Sequence, residues 1–506
     1  MGSRTLVVRA DATVVIGTGH VMRCLALAQA WQDAGGSCVF AMAEPTPAVE
    51  ERVVAEGIQV VRFRKTIPDS SQDAAQLVEL ARARGATWLV VDGYHFDAEY
   101  QRRLKDTELK LLWVDDNGES AHYYADLVLN QNAHAGDGLY VRREPYTRLL
   151  LGPRYALLRR EFARWRDWKP EIARFGRKVL ITMGGSDPDN VTSRVIEALG
   201  MVRVEGLEAT VVVGGSNPHF ESLQRLAARC GGSIRLLRNA STMPELLAWA
   251  DVAVSAAGTT CWEMCLLGLP AILIDLAPNQ RPIAEELDRR GVGIHLGNTH
   301  EVSAEKIASE LEGLLRSQET RAAISQRARE VIDGKGVIRV VSAIQSGGLR
   351  LRRAEAKDCR LLWEWVNDPD VRAASFSTEQ IPWKKHQSWF LRKMEDPDCY
   401  IFIGENDEGT PVGQIRVDQR SSEEGEIDVS LSREFRGCGY GGLLVALGAQ
   451  RAFAETAWLR LHAFVKAENE ASWRAFERAG YKRTGEEQVC GCRAIDYVRT
   501  REQDQT

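Results

Sequence analysis

The sequence predicts two doubly wound α/β domains with parallel sheets, followed by a smaller α+β domain built on antiparallel hairpins. Three observations predict it. Through about residue 335, continuous apolar runs of four to six residues alternate with helical stretches, as strands covered on both faces by helices require. The alternation stops at a polar stretch, Arg159–Arg174, and restarts at Val179-Leu-Ile-Thr-Met-Gly-Gly185. After Gln345-Ser-Gly-Gly348 the order changes to one helix, several strand-like stretches, a glycine cluster and a second helix.

In chain order, the expected buried strands are Leu6–Ala10, Trp88–Val91, Leu111–Val114, Leu127–Leu129, Val179–Thr182, Thr210–Val213, Val252–Ser255 and Ala271–Ile274. Helices are expected between them, at Val21–Ala34, Ala74–Ala83, Pro244–Ala250 and Ile283–Arg290. The stretch Arg159–Arg174 is helix-prone and carries Trp165 and Trp168. The last domain is expected to hold a helix at Asp358–Asn367, strands at Cys399–Glu405, Val412–Val417 and Glu426–Leu431, and a helix at Leu443–Phe453. At roughly 150 residues per domain, 506 residues suit three, with bounds at 1–165, 166–345 and 349–500. Two doubly wound sheets leave a cleft between them that both sets of strand carboxyl ends face, and ligands usually bind there.

Composition removes several classes of function. Hydrophobic residues make up 44% and charged residues 27%, enough to build packed cores. With 65 basic and 70 acidic residues the net charge is −5, too balanced for a protein that grips nucleic acid. No apolar run approaches the roughly 20 residues of a membrane span, and no secretory leader is visible, so a cytoplasmic protein is expected. The 10 cysteines are scattered, mostly in apolar stretches, as buried reduced thiols are. Cys490 and Cys492 stand too close together and too isolated for a zinc site, and no metal is expected.

The densest chemical signal is Arg9-Ala-Asp11-Ala-Thr-Val-Val-Ile-Gly17-Thr-Gly19-His20-Val-Met-Arg23, between the first strand and the first long helix. Gly17 and Gly19 permit close backbone approach, and the helix start offers free N–H groups to an anion. A dinucleotide fingerprint is excluded, because position 22 is Met where the third glycine would stand. An imidazole at this place suits a general base that activates water, with Asp11 holding its tautomer. The plain alternative is that His20 only caps the helix and Asp11 only forms a turn. The second block adds two glycine turns, at Gly184-Gly185 and Gly214-Gly215, and the segment Ser255-Ala-Ala-Gly258-Thr259-Thr260-Cys-Trp-Glu263, followed by Asn279-Gln280. Gly258 and Thr259 at a helix start suit a diphosphate, and Glu263, one turn on, suits two ribose hydroxyls. Otherwise Glu263 is a solvated helix face.

In combination these motifs resemble the glycosyltransferase-B superfamily, in which a Gly-Thr…Glu helix of the C-terminal Rossmann domain holds UDP. More narrowly, Arg9-x-Asp11, Ile16-Gly-x-Gly-His20-x-x-Arg23, Asp92-Gly-Tyr94, Asp115-Asp116, Asn130-x-Asn132 and Gly152-x-x-Tyr155-Ala-Leu-x-Arg159-x-Glu161-Phe162 resemble the UDP-sugar hydrolases of pseudaminic acid biosynthesis. The resemblance spans about residues 4–340. It implies inverting, metal-free hydrolysis of UDP-2,4-diacetamido-2,4,6-trideoxy-β-L-altropyranose, with His20 as base, Asp11 supporting it and Tyr94 positioning sugar or water. It implies substrate contacts at Arg9, Gly17, Gly19, Arg23, Asn132, Gly185, Gly258, Thr259, Glu263, Asn279 and Gln280. Contact of Trp262 with ligand stays open.

The second constellation is Arg436-Gly437-Cys-Gly439-Tyr-Gly441, after the strand Glu426–Leu431 and before a helix. A basic residue with glycines following at alternate positions makes a turn whose amides converge on a pyrophosphate. With Asn469-x-x-Ser472-x-x-x-Phe476-x-x-x-Gly480-Tyr481 downstream, it resembles the GNAT acetyltransferases. That resemblance implies acetyl-CoA as co-substrate, held by Arg436, Gly437, Gly439, Gly441 and Asn469. Many relatives carry an acidic tyrosine where this chain has Phe476; Tyr481, Cys438 or solvent are the substitutes. Glu426 and Asp428, two apart on one strand, share a face and are the candidate bases, or are simply solvent-facing positions. Trp365–Arg372 and His386-x-x-Trp389-Phe resemble substrate-side helices of GNAT enzymes that acetylate amino sugars.

The expectation is a bifunctional enzyme that acetylates the 4-amine of UDP-4-amino-4,6-dideoxy-N-acetyl-β-L-altrosamine and then hydrolyses the UDP linkage. It expects a UDP-sugar and acetyl-CoA as partners, and neither nucleic acid nor membrane. The alternatives are a glycosyltransferase that needs an acceptor, and a GNAT-like module without catalysis.

Overall fold

The computed structural model describes residues 5–13, 16–43, 46–63, 67–144, 147–230, 233–240, 242–345, 349–406, 409–436 and 440–501. The chain divides into two compact units, Met1–Val341 and Ser342–Thr506.

The first unit holds two parallel sheets. Seven strands, β1 (Thr5–Ala10), β2 (Ser37–Met42), β3 (Gln59–Arg62), β4 (Ala86–Asp92), β5 (Lys110–Val114), β6 (Leu127–Asn130) and β7 (Arg148–Leu151), lie in the order β3-β2-β1-β4-β5-β6-β7. Six more, β8 (Lys178–Thr182), β9 (Glu208–Val213), β10 (Ser233–Arg238), β11 (Val252–Ala256), β12 (Ala271–Asp275) and β13 (Ile294–Asn298), lie in the order β10-β9-β8-β11-β12-β13. Central strands such as β1, β11 and β12 are buried along their whole length, which is why they read as unbroken apolar runs. In each sheet the strand order reverses beside the first strand, between β1 and β4 and between β8 and β11. Ligands bind at the carboxyl ends flanking such a reversal.

The stretch Arg159–Arg174, expected to be helix-prone, forms only a 3-10 turn over Arg160–Trp165 and then runs irregularly. Its side chains do not share one face, as a helix would need. Trp165 and Trp168 pack on the second body, while Arg160 bonds to the first. Just past β6, Gln131 accepts from the Leu157 amide ahead of this segment, and Ala133 joins the core against which it packs.

The second unit is one mixed sheet of β14 (Arg350–Arg353), β15 (Cys399–Glu405), β16 (Pro411–Gln419), β17 (Glu424–Leu431), β18 (Arg460–Lys466), β19 (Lys482–Val489) and β20 (Cys492–Thr500), in the order β14-β15-β16-β17-β18-β20-β19. The helix Tyr440–Glu455 packs on the face formed by Ile415, Val417, Ile427, Leu461 and Ala463. All neighbours are antiparallel except β17 and β18, which run parallel and pair only over Glu424–Glu426 with Arg460–His462. Beyond that point the two strands part.

Candidate functional site

In the first unit, β1 delivers the chain to the loop before the helix Gly19–Asp33, and its last residue Ala10 pairs with Asp92, the last residue of β4. The helix starts at this reversal of strand order, so its first-turn His20 lies over the end of β4. His20 Nδ1 meets Asp92 Oδ1 at 2.6 Å. A carboxylate only accepts, so Nδ1 carries the proton and Nε2 is left with the lone pair. Arg23, one turn further on, donates to both Asp92 oxygens at 2.7 Å and from Nη1 to Asp116 Oδ1 at 2.7 Å. Its 3.3 Å approach to His20 Nδ1 is therefore proximity between two donors. Burial pushes the Asp92 carboxyl up, but the Arg23 guanidinium and His20 outweigh it and hold the group well below the usual carboxylate range.

Asp116 is the second anchor. It takes Arg23, the Asn132 amide at 2.7 Å and the Tyr94 hydroxyl at 2.6 Å. Tyr94 is 52% exposed, stands edge-on to His20 with ring centres 4.6 Å apart, and accepts a 2.8 Å bond from Asn279 Nδ2 of the second body. Burial and the nearby Asp116 charge push the Tyr94 phenol far up, so it stays a neutral donor.

Four expected roles need correction. Asp11 does not hold His20: it pairs with Arg9 at 2.7 Å and accepts from the Ala43 amide at 2.7 Å. Asp92 has its place, because parallel pairing of β1 with β4 carries that carboxylate to the imidazole. Arg9, expected to bind substrate, is wholly buried between Phe63 and Phe96 and bonded to Asp73 and Asp11. Arg23 and Asn132, expected to touch substrate, are 4% and 1% exposed and are spent on Asp92 and Asp116. They hold the site's frame. Asp92 and Asp116 had stood in the quoted motifs without a role.

The other expected residues lie on loops and helix starts of both bodies. A Cβ on Gly17 or Gly19 would meet nothing within 4 Å, so the loop leaves open room there. Gly17 also has φ +81, which favours glycine. A Cβ on Gly185 would stand 2.5 Å from Thr18 Oγ1, so the glycine turn after β8 lies directly against the His20 loop. Gly258 and Thr259 precede the helix Thr260–Leu267 at the end of β11. Glu263 is 7% exposed and receives Arg159 Nη2 at 2.9 Å; burial raises its carboxyl, and Arg159 opposes the rise. Gln280 accepts from the Leu276 amide at 3.0 Å and fixes its own turn. Trp262 is 1% exposed, inside the core.

In the second unit, Glu426 is the last residue of β17 paired to β18, opposite His462, and Asp428 lies just beyond, where β17 parts from β18 while staying paired to β16. Both are exposed, with Ile427 between them buried in the core. Asp428 faces Arg416 at 3.6 Å. Arg436 bonds the Leu431 carbonyl at 3.2 Å and pairs with Asp368 at 2.8 Å and Asp370 at 3.0 Å. Gly437, Cys438 and Gly439 lie outside the described residues, and Gly441 is the second residue of the helix Tyr440–Glu455. Asn469 caps the helix Glu470–Arg478 by accepting from Ser472 at 3.1 Å. Phe476 and Tyr481 are both core residues, packed edge to face. Among the described residues no cluster of His, Cys, Asp or Glu could hold a metal, and no helix is long and apolar enough to cross a membrane.

Comparison with known proteins agrees with this division. Residues 179–335 match the glycosyltransferase family 28 C-terminal domain, and residues 348–482 match the acetyltransferase (GNAT) domain. An uncharacterized protein of Methanocaldococcus jannaschii is 24% identical over 94% of this chain and 96% of its own length. The spore coat polysaccharide biosynthesis protein SpsG of Bacillus subtilis is 24% identical, over 66% of this chain and 96% of its own. The UDP-2,4-diacetamido-2,4,6-trideoxy-β-L-altropyranose hydrolase of Campylobacter jejuni is 25% identical, over 56% of this chain and 96% of its own. The chain thus joins a sugar-nucleotide hydrolase-like body, with a glycosyltransferase family 28 C-terminal domain, to a GNAT acetyltransferase domain.

Proposed function

We propose that the chain is a bifunctional nucleotide-sugar enzyme. In this reading the GNAT domain N-acetylates UDP-4-amino-4,6-dideoxy-N-acetyl-β-L-altrosamine, and the first unit hydrolyses UDP-2,4-diacetamido-2,4,6-trideoxy-β-L-altropyranose to UDP and the free sugar. The observation that carries it is the His20–Asp92 pair at the carboxyl ends of the neighbouring strands β1 and β4. His20 Nε2 takes a proton from water as its oxygen attacks C1 from the face opposite the nucleotide. The bond from C1 to the phosphate oxygen breaks, UDP leaves with the electron pair, and the anomeric centre inverts. The proton on Nδ1 stays on the ring, bonded to the Asp92 carboxylate, so the imidazolium charge forms beside a negative charge; a base so placed supplies roughly 10²–10⁴ of the rate. Tyr94 and Asn279, bonded to one another, close the sugar's side of the cleft.

For acetyl transfer, β17 pairs with β18 only as far as Glu426, and the edge of β17 that parts from β18 beyond it is a seat for the amides of acetyl-CoA's pantetheine arm. The start of the helix Tyr440–Glu455 faces the diphosphate. The amine attacks the acetyl carbonyl, the C–S bond breaks, and the departing thiolate takes a proton from solvent; Glu426 or Asp428 receives the amine's proton. The reading is tested by incubating the UDP-4-amino-sugar with protein and acetyl-CoA, then identifying products by mass spectrometry and NMR. Acetylated free sugar and UDP are expected. The family 28 domain favours one other reading, a glycosyltransferase. UDP release that strictly requires an added acceptor would establish it instead.

A further inference from the structure

Arg159 and Arg160 are adjacent residues whose side chains run to opposite bodies of the first unit. Arg159 has extended backbone (φ −62, ψ 157), so successive side chains point apart. Arg159 reaches the second body, donating to Glu263 at 2.9 Å, and is steadied by Glu161 at 2.7 Å and by the Phe162 ring. Arg160 reaches the first body. Its guanidinium bonds the Gln29 carbonyl at 3.1 Å and pairs with Asp33 at 2.9 Å and Glu56 at 3.2 Å, and its backbone N–H donates to Gln29 Oε1 at 2.9 Å. Gln29 and Asp33 lie on the helix Gly19–Asp33, whose first turn carries His20.

We infer that Arg159 and Arg160 form a two-residue brace that sets the distance between the nucleotide-holding helix Thr260–Leu267 and His20. The inference rests on the proposed reading of Glu263 as the ribose acceptor and extends it to how that site is coupled to the base. Both are positioning residues, since neither reaches the reacting atoms. The two ends differ in kind. The Arg159–Glu263 pair is nearly dry, with side chains 13% and 9% exposed, so removing Arg159 leaves the buried Glu263 carboxylate without its partner. The Arg160–Asp33 pair is 41% and 56% exposed and contributes little to stability. Its function is geometric: a rigid helix passes any displacement at Gln29 and Asp33 along to His20, and a misplacement of about 1 Å at a reacting group costs on the order of 100-fold in rate. Two sites are coupled only through an element that both of them bias, and this turn is bonded to both.

The test uses the full chain. Arg160→Ala is expected to unfold at the wild-type temperature and to bind UDP with wild-type affinity, while kcat for UDP-sugar hydrolysis falls 10- to 100-fold. Arg159→Ala is expected to weaken UDP binding at least 10-fold, with Arg159→Lys recovering part of the loss. Hydrogen exchange supplies a readout independent of hydrolysis. UDP is expected to protect amides of both Thr260–Leu267 and Gly19–Asp33 in the wild type, and those of Thr260–Leu267 alone in Arg160→Ala. If UDP protects both helices but no UDP-sugar is hydrolysed, the hydrolase reading fails and the brace stands. If Arg160→Ala keeps full kcat and still protects Gly19–Asp33, the brace is overturned whatever the substrate.

Discussion

The Nδ1 of His20 and the Oδ1 of Asp92 stand 2.6 Å apart although 72 residues separate them in sequence. The contact exists because β1 and β4 are neighbours and end together, Ala10 opposite Asp92. It predicts that Asp92→Asn, which replaces one carboxylate oxygen with an NH2 donor and removes the negative charge, unsettles the imidazole's tautomer and its imidazolium. Hydrolysis is expected to fall roughly 10²–10⁴-fold with UDP affinity unchanged. Asp11→Asn is expected to cost stability, with kcat kept within about threefold, because a carboxylate that holds buried Arg9 and not His20 is lost. Initial rates and UDP titrations of both variants check this; equal losses of kcat would return Asp11 to the mechanism.

Sequence alone made most central strands of the first unit legible, because buried parallel strands are unbroken apolar runs, and in the second unit it made legible the helix Cys359–Val366, the strands β15 to β17 and the helix Tyr440–Glu455. It left out β2, β3, β7, β10 and β13 in the first unit and β14, β18, β19 and β20 in the second. Of these, β3, β7 and β13 are half-exposed and carry no such run, whereas β2 is buried from Cys38 to Met42 and is a run of that kind. It located His20 but paired it with the nearest carboxylate along the chain. Strand order decides which carboxylate is nearest in space, and no local pattern records strand order. Arg9 and Arg23 misled for a related reason: an arginine beside a glycine loop suits a ligand and suits a buried carboxylate equally well, and only burial separates the two.

Tyr94 joins the bodies through Asn279 and reaches Asp116 in the first. Tyr94→Phe removes both bonds while keeping the ring beside His20. At about 0.5–1.5 kcal/mol per bond, kcat/KM is expected to fall about 10-fold. Asn279→Ala combined with Tyr94→Phe is expected to cost less than the sum of the two, since both remove the same contact. Additive losses would show that the contact carries no coupling.

Acid should weaken the first unit through its buried carboxyls. Burial pushes Asp11, Asp92 and Asp116 up, but His95 and Arg9, Arg23 and His20, and Arg23 and Tyr94 respectively hold them below the usual range. A carboxyl with a depressed folded pKa contributes stability above its unfolded value, about 3.9, and loses it as pH falls toward the folded value. The denaturant midpoint is therefore expected to hold steady down to about pH 5 and to drop steeply below about pH 4. A midpoint that stays flat to about pH 2.5 would show that these pairs contribute nothing to folding.

Glu426 and Asp428 share one exposed face, and the pH dependence of acetyl transfer in their variants tells them apart. Desolvation against the sheet raises the Glu426 carboxyl, with Arg420 and Arg416 opposing and Asp418 and Asp428 adding to the rise. A base with a raised pKa gains its working form at higher pH. Acetyl transfer from acetyl-CoA is expected to climb with pH through a group titrating above the ordinary glutamate value of about 4.3. Glu426→Gln is expected to flatten that limb and Asp428→Asn to leave it in place. The opposite pattern, with the limb lost in Asp428→Asn, assigns the base to Asp428.

Phe476 stands where many GNAT relatives have an acidic tyrosine, and it is a core residue, 3% exposed, with Tyr481 edge-on at 5.1 Å and itself 2% exposed. A hydroxyl added at Phe476 enters packed hydrocarbon, where an unbonded polar group costs about 1–3 kcal/mol. Phe476→Tyr is thus expected to lower the unfolding temperature of the GNAT domain and to leave the acetylation rate unchanged. Tyr481→Phe is expected to keep that rate as well, because a phenol sealed in the core cannot protonate a departing thiolate. If Phe476→Tyr instead raises the rate 10-fold or more, the ring edge faces the thioester, and the wild-type enzyme has been working without an acid that its fold could hold.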